Sequence, residues 1–61
     1  MWILRFQRSD QQPDEEYYYQ SKAAAVHHMN LFRCDDSGLY QRIDLLQWEN
    51  PEDIIKSIHF N

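Results

Sequence analysis

Four side chains in this sequence have the types that metal or nucleophilic chemistry uses: His27, His28, Cys34 and His59. Imidazole and thiolate are transition-metal ligands, and a thiol beside an imidazole pairs a cysteine nucleophile with its base. The spacing supports neither. Adjacent helical histidines diverge by about 100°, and no Cys-x-x-Cys or His-x-x-x-His pair occurs. Cys34 stands six residues from His28, and no pattern supplies an oxyanion hole. The expectation is a small buried thiol at Cys34. At His28 it is a partly buried, hydrogen-bonded imidazole whose charge couples stability to pH near about 6.

The carboxylates are the next candidates. Asp14-Glu15-Glu16, Asp35-Asp36, Glu49 and Glu52-Asp53 fall at predicted turns, where solvation explains them. Asp35-Asp36-Ser37-Gly38 lacks the ligand spacing of a calcium loop. There is no Gly-rich phosphate loop, paired acid/base motif or nucleophile elbow. The sequence therefore predicts no catalytic, cofactor-binding or metal-binding residue, no cofactor and no enzyme activity.

The elements that must position these side chains follow from periodicity. Trp2-Ile3-Leu4-Arg5-Phe6-Gln7-Arg8 alternates apolar and polar after its first pair, which predicts a strand over about 2–8. Ser9 to Asp14, with Pro13, is turn chemistry. Tyr17-Tyr18-Tyr19 then favours a second strand over 15–20, against a competing helix start at Pro13-Asp14-Glu15-Glu16. Ser21 is a good N-cap ahead of Lys22-Ala23-Ala24-Ala25, so a helix is expected over about 22–33. Its apolar arc carries Ala24, Ala25, His28, Met29, Leu31 and Phe32, flanked by Val26. Gly38, the only glycine, marks the turn that follows. A third strand over 39–48 has a muddled pattern, with Leu39, Ile43 and Leu45 against Tyr40, Leu46 and Trp48. Glu49-Asn50-Pro51-Glu52 is a turn, and a fourth strand spans 53–60.

Sixty-one residues make one compact domain, 1–61, able to bury only about 60% of its unfolded surface. The core must be dense, and two Trp, four Tyr and three Phe supply the bulk. The net charge of -4 and six scattered basic residues disfavour direct nucleic-acid binding. One cysteine allows no internal disulfide, and no run approaches the roughly 20 apolar residues of a membrane span. Met1-Trp2-Ile3-Leu4, interrupted by Arg5, is too short for a signal-peptide core, so the expected location is cytoplasmic.

The expected fold class is α+β: a single ββαββ domain with a four-stranded, mostly antiparallel sheet and one helix across one face. Strands 1 and 4 carry the most aliphatic side chains and are placed centrally, giving the order 2-1-4-3 with strands 1 and 4 parallel. That arrangement is similar to small β-grasp domains as architecture alone; no motif ties the chain to a family.

One helix covers one sheet face, yet large apolar residues occur at both strand parities. The far face should therefore carry an apolar patch, which usually marks an interface. The expected function is a small non-enzymatic interaction module of bacterial or phage type, binding a protein partner or a second copy of itself as a homodimer. The candidate contact residues are Tyr17, Tyr18, Tyr19, Ile3, Trp48 and Ile55. The alternative is an acidic nucleic-acid mimic, an inhibitor that occupies the basic groove of a nucleic-acid-binding protein.

Overall fold

A computed structural model describes residues 1–60 as five elements: β1 (Trp2–Arg8), β2 (Glu15–Tyr19), α1 (Lys22–Leu31), β3 (Tyr40–Gln47) and β4 (Lys56–His59). The α+β class, the four strands and the single helix are as the sequence predicts. The strand order is not. The sheet runs β2-β1-β3-β4, and every neighbouring pair is antiparallel.

The correction has a plain physical cause. Ile43, Asp44, Leu45 and Leu46 on β3 are all buried, on both faces of the strand. Apolar residues at both parities belong to a strand flanked on both sides, so the muddled pattern marks a centre. β4 is only four residues long and exposes Lys56, as an edge strand should. β3 pairs with β1 from Trp2↔Gln47 to Arg8↔Tyr40, with a register shift between Gln7 and Arg8. Among the described residues no strand pair is parallel, so the sheet lacks the central parallel pair on which the β-grasp analogy rests.

β2 and β3 run in the same direction on either side of β1, and α1 is the connection between them. Ser21 caps the helix as expected, its Oγ accepting from the Ala24 N–H at 3.1 Å. The helix stops at Leu31, two residues early, because the next bonds tighten to i→i+3: Phe32 N–H to Met29 O at 3.1 Å and Arg33 N–H to Asn30 O at 3.2 Å. Gly38 then takes φ of 77°, where a side chain would be strained. The Ser9 N–H reaches the Leu39 carbonyl at 2.8 Å and joins this turn to the end of β1.

The helix-side core is Leu4, Phe6, Ala25, Met29, Ile43 and Leu45, with Trp2, Tyr19, Val26, Phe32, Tyr40, Ile58 and Phe60 packed against it. The helix contributes less than its sequence arc implied. Only Ala25 and Met29 are fully buried, and Leu31 is 69% exposed because the helix ends there and the chain turns away. The fourth strand was expected from residue 53. Ile54 and Ile55 instead stand exposed ahead of β4, although the Ile55 N–H still meets the Leu45 carbonyl at 2.9 Å. Among the described residues no helix is long and apolar enough to cross a membrane.

Candidate docking face

Register divides the Tyr run between two faces. Leu4↔Tyr17 and Trp2↔Tyr19 put Tyr17 and Tyr19 on the helix side, whereas Ile3↔Tyr18 puts Tyr18 on the open side. The open face is built in rows across the strands. Tyr18, Ile3 and Leu46 form one row, and Glu16, Arg5, Asp44 and Ser57 form the next.

The apolar row is deep at its centre and open at its end. Ile3, a candidate contact residue, is 3% exposed and Leu46 is fully buried, so they form a floor and offer no surface themselves. At the open end, Met1, Tyr18 and Trp48 line a shallow, open apolar cleft of about 480 Å³. Their exposures are 47%, 49% and 62%, and the Tyr18 and Trp48 rings meet edge to face with centroids 6.4 Å apart. The far-face patch is thus concentrated in one aromatic pair. Ile55 is exposed but does not line the cleft. Met1, which is not among the contact residues the sequence predicts, shares the parity of Ile3, and its carbonyl accepts from the Trp48 N–H at 3.0 Å.

Tyr18 is also held in place. Its hydroxyl donates to Glu16 Oε1 at 2.9 Å, and Arg5 Nε donates to Glu16 Oε2 at 3.0 Å. These two partners keep the Glu16 carboxyl below its ordinary range, the Tyr18 hydroxyl first and Arg5 second. The same carboxylate raises the Tyr18 phenol, so that ring stays neutral.

The helix side gathers the remaining chemistry-bearing residues. Glu15 accepts from Arg8 Nη1 at 2.7 Å, the Tyr17 hydroxyl at 3.0 Å and the Tyr40 hydroxyl at 3.3 Å. Its carboxyl is lowered, chiefly by Arg8. Arg8 also holds Asp10 through two nitrogens and lowers that carboxyl too. This cluster ties Glu15 to β1 and β3 and closes the β1–β2 turn.

His28 is placed as the sequence implied. It is half-buried against Phe6, Tyr17, Tyr19 and Phe32, with ring centroids 4.9–5.8 Å away, and its Nδ1 is hydrogen-bonded to the Tyr19 hydroxyl. Burial lowers its pKa below the ordinary 6.5, and neighbouring His27 adds to the effect. A histidine that resists protonation in the fold contributes stability fully above about pH 6.5. That contribution is lost as pH falls below 6.5, where the unfolded chain takes up the proton first. Glu15 and Glu16 have lowered pKa values, so their contribution fades only below about 4.5. Urea midpoints at pH 7.5 and 5.5 should therefore differ, with the acid value lower, and His28→Phe should flatten the difference. An equal slope in both proteins would assign the pH dependence elsewhere.

Cys34 is exposed in the turn after α1, and not a buried thiol as expected, because the helix ends before it reaches the packed face. Among the described residues no group of three His, Cys, Asp or Glu side chains is placed to hold a metal ion. No protein family, curated protein or solved structure matches the chain at a significant level.

Proposed function

We propose that this protein is a small non-enzymatic interaction module that docks a protein partner on its open sheet face, with Tyr18 and Trp48 as the anchors. One observation carries the reading: an apolar cleft of about 480 Å³ lined by Met1, Tyr18 and Trp48 on the face the helix leaves uncovered. Large aromatic side chains dominate binding energy when they fill a partner's pocket and lose little freedom in doing so. Tyr18 is already ordered by Glu16 and Arg5, so its immobilisation costs little on docking.

The alternative, an acidic nucleic-acid mimic, draws less support from the charge layout. Asp10, Glu15, Glu16, Asp44 and Glu49 each lie within 3.3 Å of a cation of the chain itself. Carboxylates neutralised internally project a weaker field toward a basic groove.

The test is capture of a partner by the immobilised chain, followed by titration of that partner against variants. Trp48→Ala should weaken binding at least tenfold, about 1.4 kcal/mol, with the circular dichroism spectrum unchanged. Leu31→Ala, at the exposed end of the helix, should bind normally. The affinity should also change little with added salt, whereas a mimic would weaken steeply. If both Trp48→Ala and Tyr18→Ala bind as the unaltered chain does, the docking face is not here.

A further inference from the structure

The sheet has two outer edges, and they are not equivalent. β4 is short and carries Lys56, a usual device against edge pairing. β2 has five residues, Glu15–Tyr19, with no Lys, Pro or bulge among them, and its centre is exposed at Glu16, Tyr17 and Tyr18. The β2 backbone groups that point away from β1 form a template for another strand, with Glu15 and Glu16 as its only charged residues.

We infer that the occupant of this edge is β2 of a second copy of the chain, paired antiparallel about Tyr17. This rests on the reading of the protein as an interaction module and adds an occupant and a register. The register follows from symmetry and charge. Two identical edge strands pair antiparallel only about a two-fold axis perpendicular to the sheet, which keeps every residue on its own face. Tyr17 can then face Tyr17 of the second copy, or Glu16 face Glu16, but Tyr17 cannot face Tyr18. The register centred on Glu16 sets like charges directly opposite each other, which is unfavourable. The register centred on Tyr18 leaves Glu15 unpaired beyond the strand.

Centring on Tyr17 uses all five residues and opposes Glu16 to Tyr18 and Glu15 to Tyr19. Tyr hydroxyl to Glu carboxylate is the pairing the strand already makes within itself, at 3.0 Å for Tyr17–Glu15 and 2.9 Å for Tyr18–Glu16. Strand reversal repeats that chemistry between chains. The product is an eight-stranded sheet with both helices on one face and both Met1–Tyr18–Trp48 clefts on the other. The net charge of -4 on each copy opposes association, so added salt should strengthen it.

The experiment has two readouts. Light scattering of the unaltered chain over a concentration series should show the mass rising from one chain toward two, and more so at higher salt. In a Cys34→Ser background, Tyr17→Cys should be trapped as a disulfide-linked pair by mild oxidation, since identical residues meet only at the two-fold. Glu15→Cys should link far less. A chain that stays single at all concentrations overturns the inference. So does a dimer in which Tyr17→Cys and Glu15→Cys link equally, because its contact then lies elsewhere. Tyr18 belongs to both surfaces, so the docking face is tested separately by the Trp48→Ala titration, at a residue outside the proposed strand pair.

Discussion

A Phe6→Ala chain is expected to be largely unfolded at room temperature. The Phe6 ring is 1% exposed and is met by Phe32 at 5.1 Å, Tyr40 at 5.2 Å, His28 at 5.3 Å and Tyr17 at 5.4 Å between centroids. It therefore joins β1, β2, β3, α1 and the turn after the helix through one side chain. Truncating a buried Phe costs about 3–5 kcal/mol, and edge-to-face pairs add a further fraction. A domain of this size holds roughly 3–5 kcal/mol in total, so the loss is comparable to the whole stability. Phe6→Leu keeps most of the volume and should stay folded, at a cost of about 1–1.5 kcal/mol. Urea titration followed by circular dichroism measures both. A Phe6→Ala chain with a near-normal midpoint would mean that Ala25 and Met29 alone dock the helix.

The same ring explains which parts of the fold are legible in the sequence. Period-two alternation at Trp2, Leu4 and Phe6 identifies β1 to its ends, and Ser21 before a run of Ala identifies the start of α1. Both signals are local. Strand order is not, because it depends on which strand is flanked on both sides. Ile43-Asp44-Leu45-Leu46 carries that information as apolar residues at both parities, and an aspartate in their midst obscures it. Counting aliphatic residues favours the fourth segment, yet Ile54 and Ile55 lie outside β4 and stay exposed.

The candidate site divides along the same line. Parity alone puts Tyr18 on the face opposite Tyr17 and Tyr19, and puts Met1, Ile3 and Trp48 on the open side with it. What parity cannot give is depth. Ile3 is buried and Trp48 exposed on the same face, because Ile3 has strand neighbours on both sides while Trp48 lies beyond the end of β3. The ordering of Tyr18 by Glu16 depends on Arg5 standing across the strand pair, a contact between residues eleven apart in sequence.

Asp44→Ala is expected to cost about 1–3 kcal/mol, less than Phe6→Ala. Asp44 is 1% exposed, and its Oδ1 accepts from Arg42 Nε at 2.9 Å and from the Ser57 hydroxyl at 2.6 Å. Removing the carboxylate leaves both donors without that acceptor. Breaking a fully buried ion pair costs about 3–5 kcal/mol, but the Arg42 side chain is 31% exposed and can turn to water, which lowers the figure. Asp44→Asn keeps an acceptor for Ser57 and should cost less. The double change Asp44→Leu with Arg42→Met removes both partners, and its stability should recover toward that of the unaltered chain. Denaturation midpoints for the unaltered chain, Asp44→Leu, Arg42→Met and the double variant close the cycle, and additive losses would show that the two side chains are not coupled. The row Glu16–Arg5–Asp44–Ser57 borders the Tyr18–Ile3–Leu46 row on the open face. A double variant that recovers stability would add apolar surface to the open face at position 42, since position 44 is 1% exposed, and on the proposed reading it should bind a partner less selectively than the unaltered chain. That recovery would assign the buried aspartate little net stability and, on the proposed docking reading, the role of confining the apolar part of the open face to the cleft at Tyr18 and Trp48.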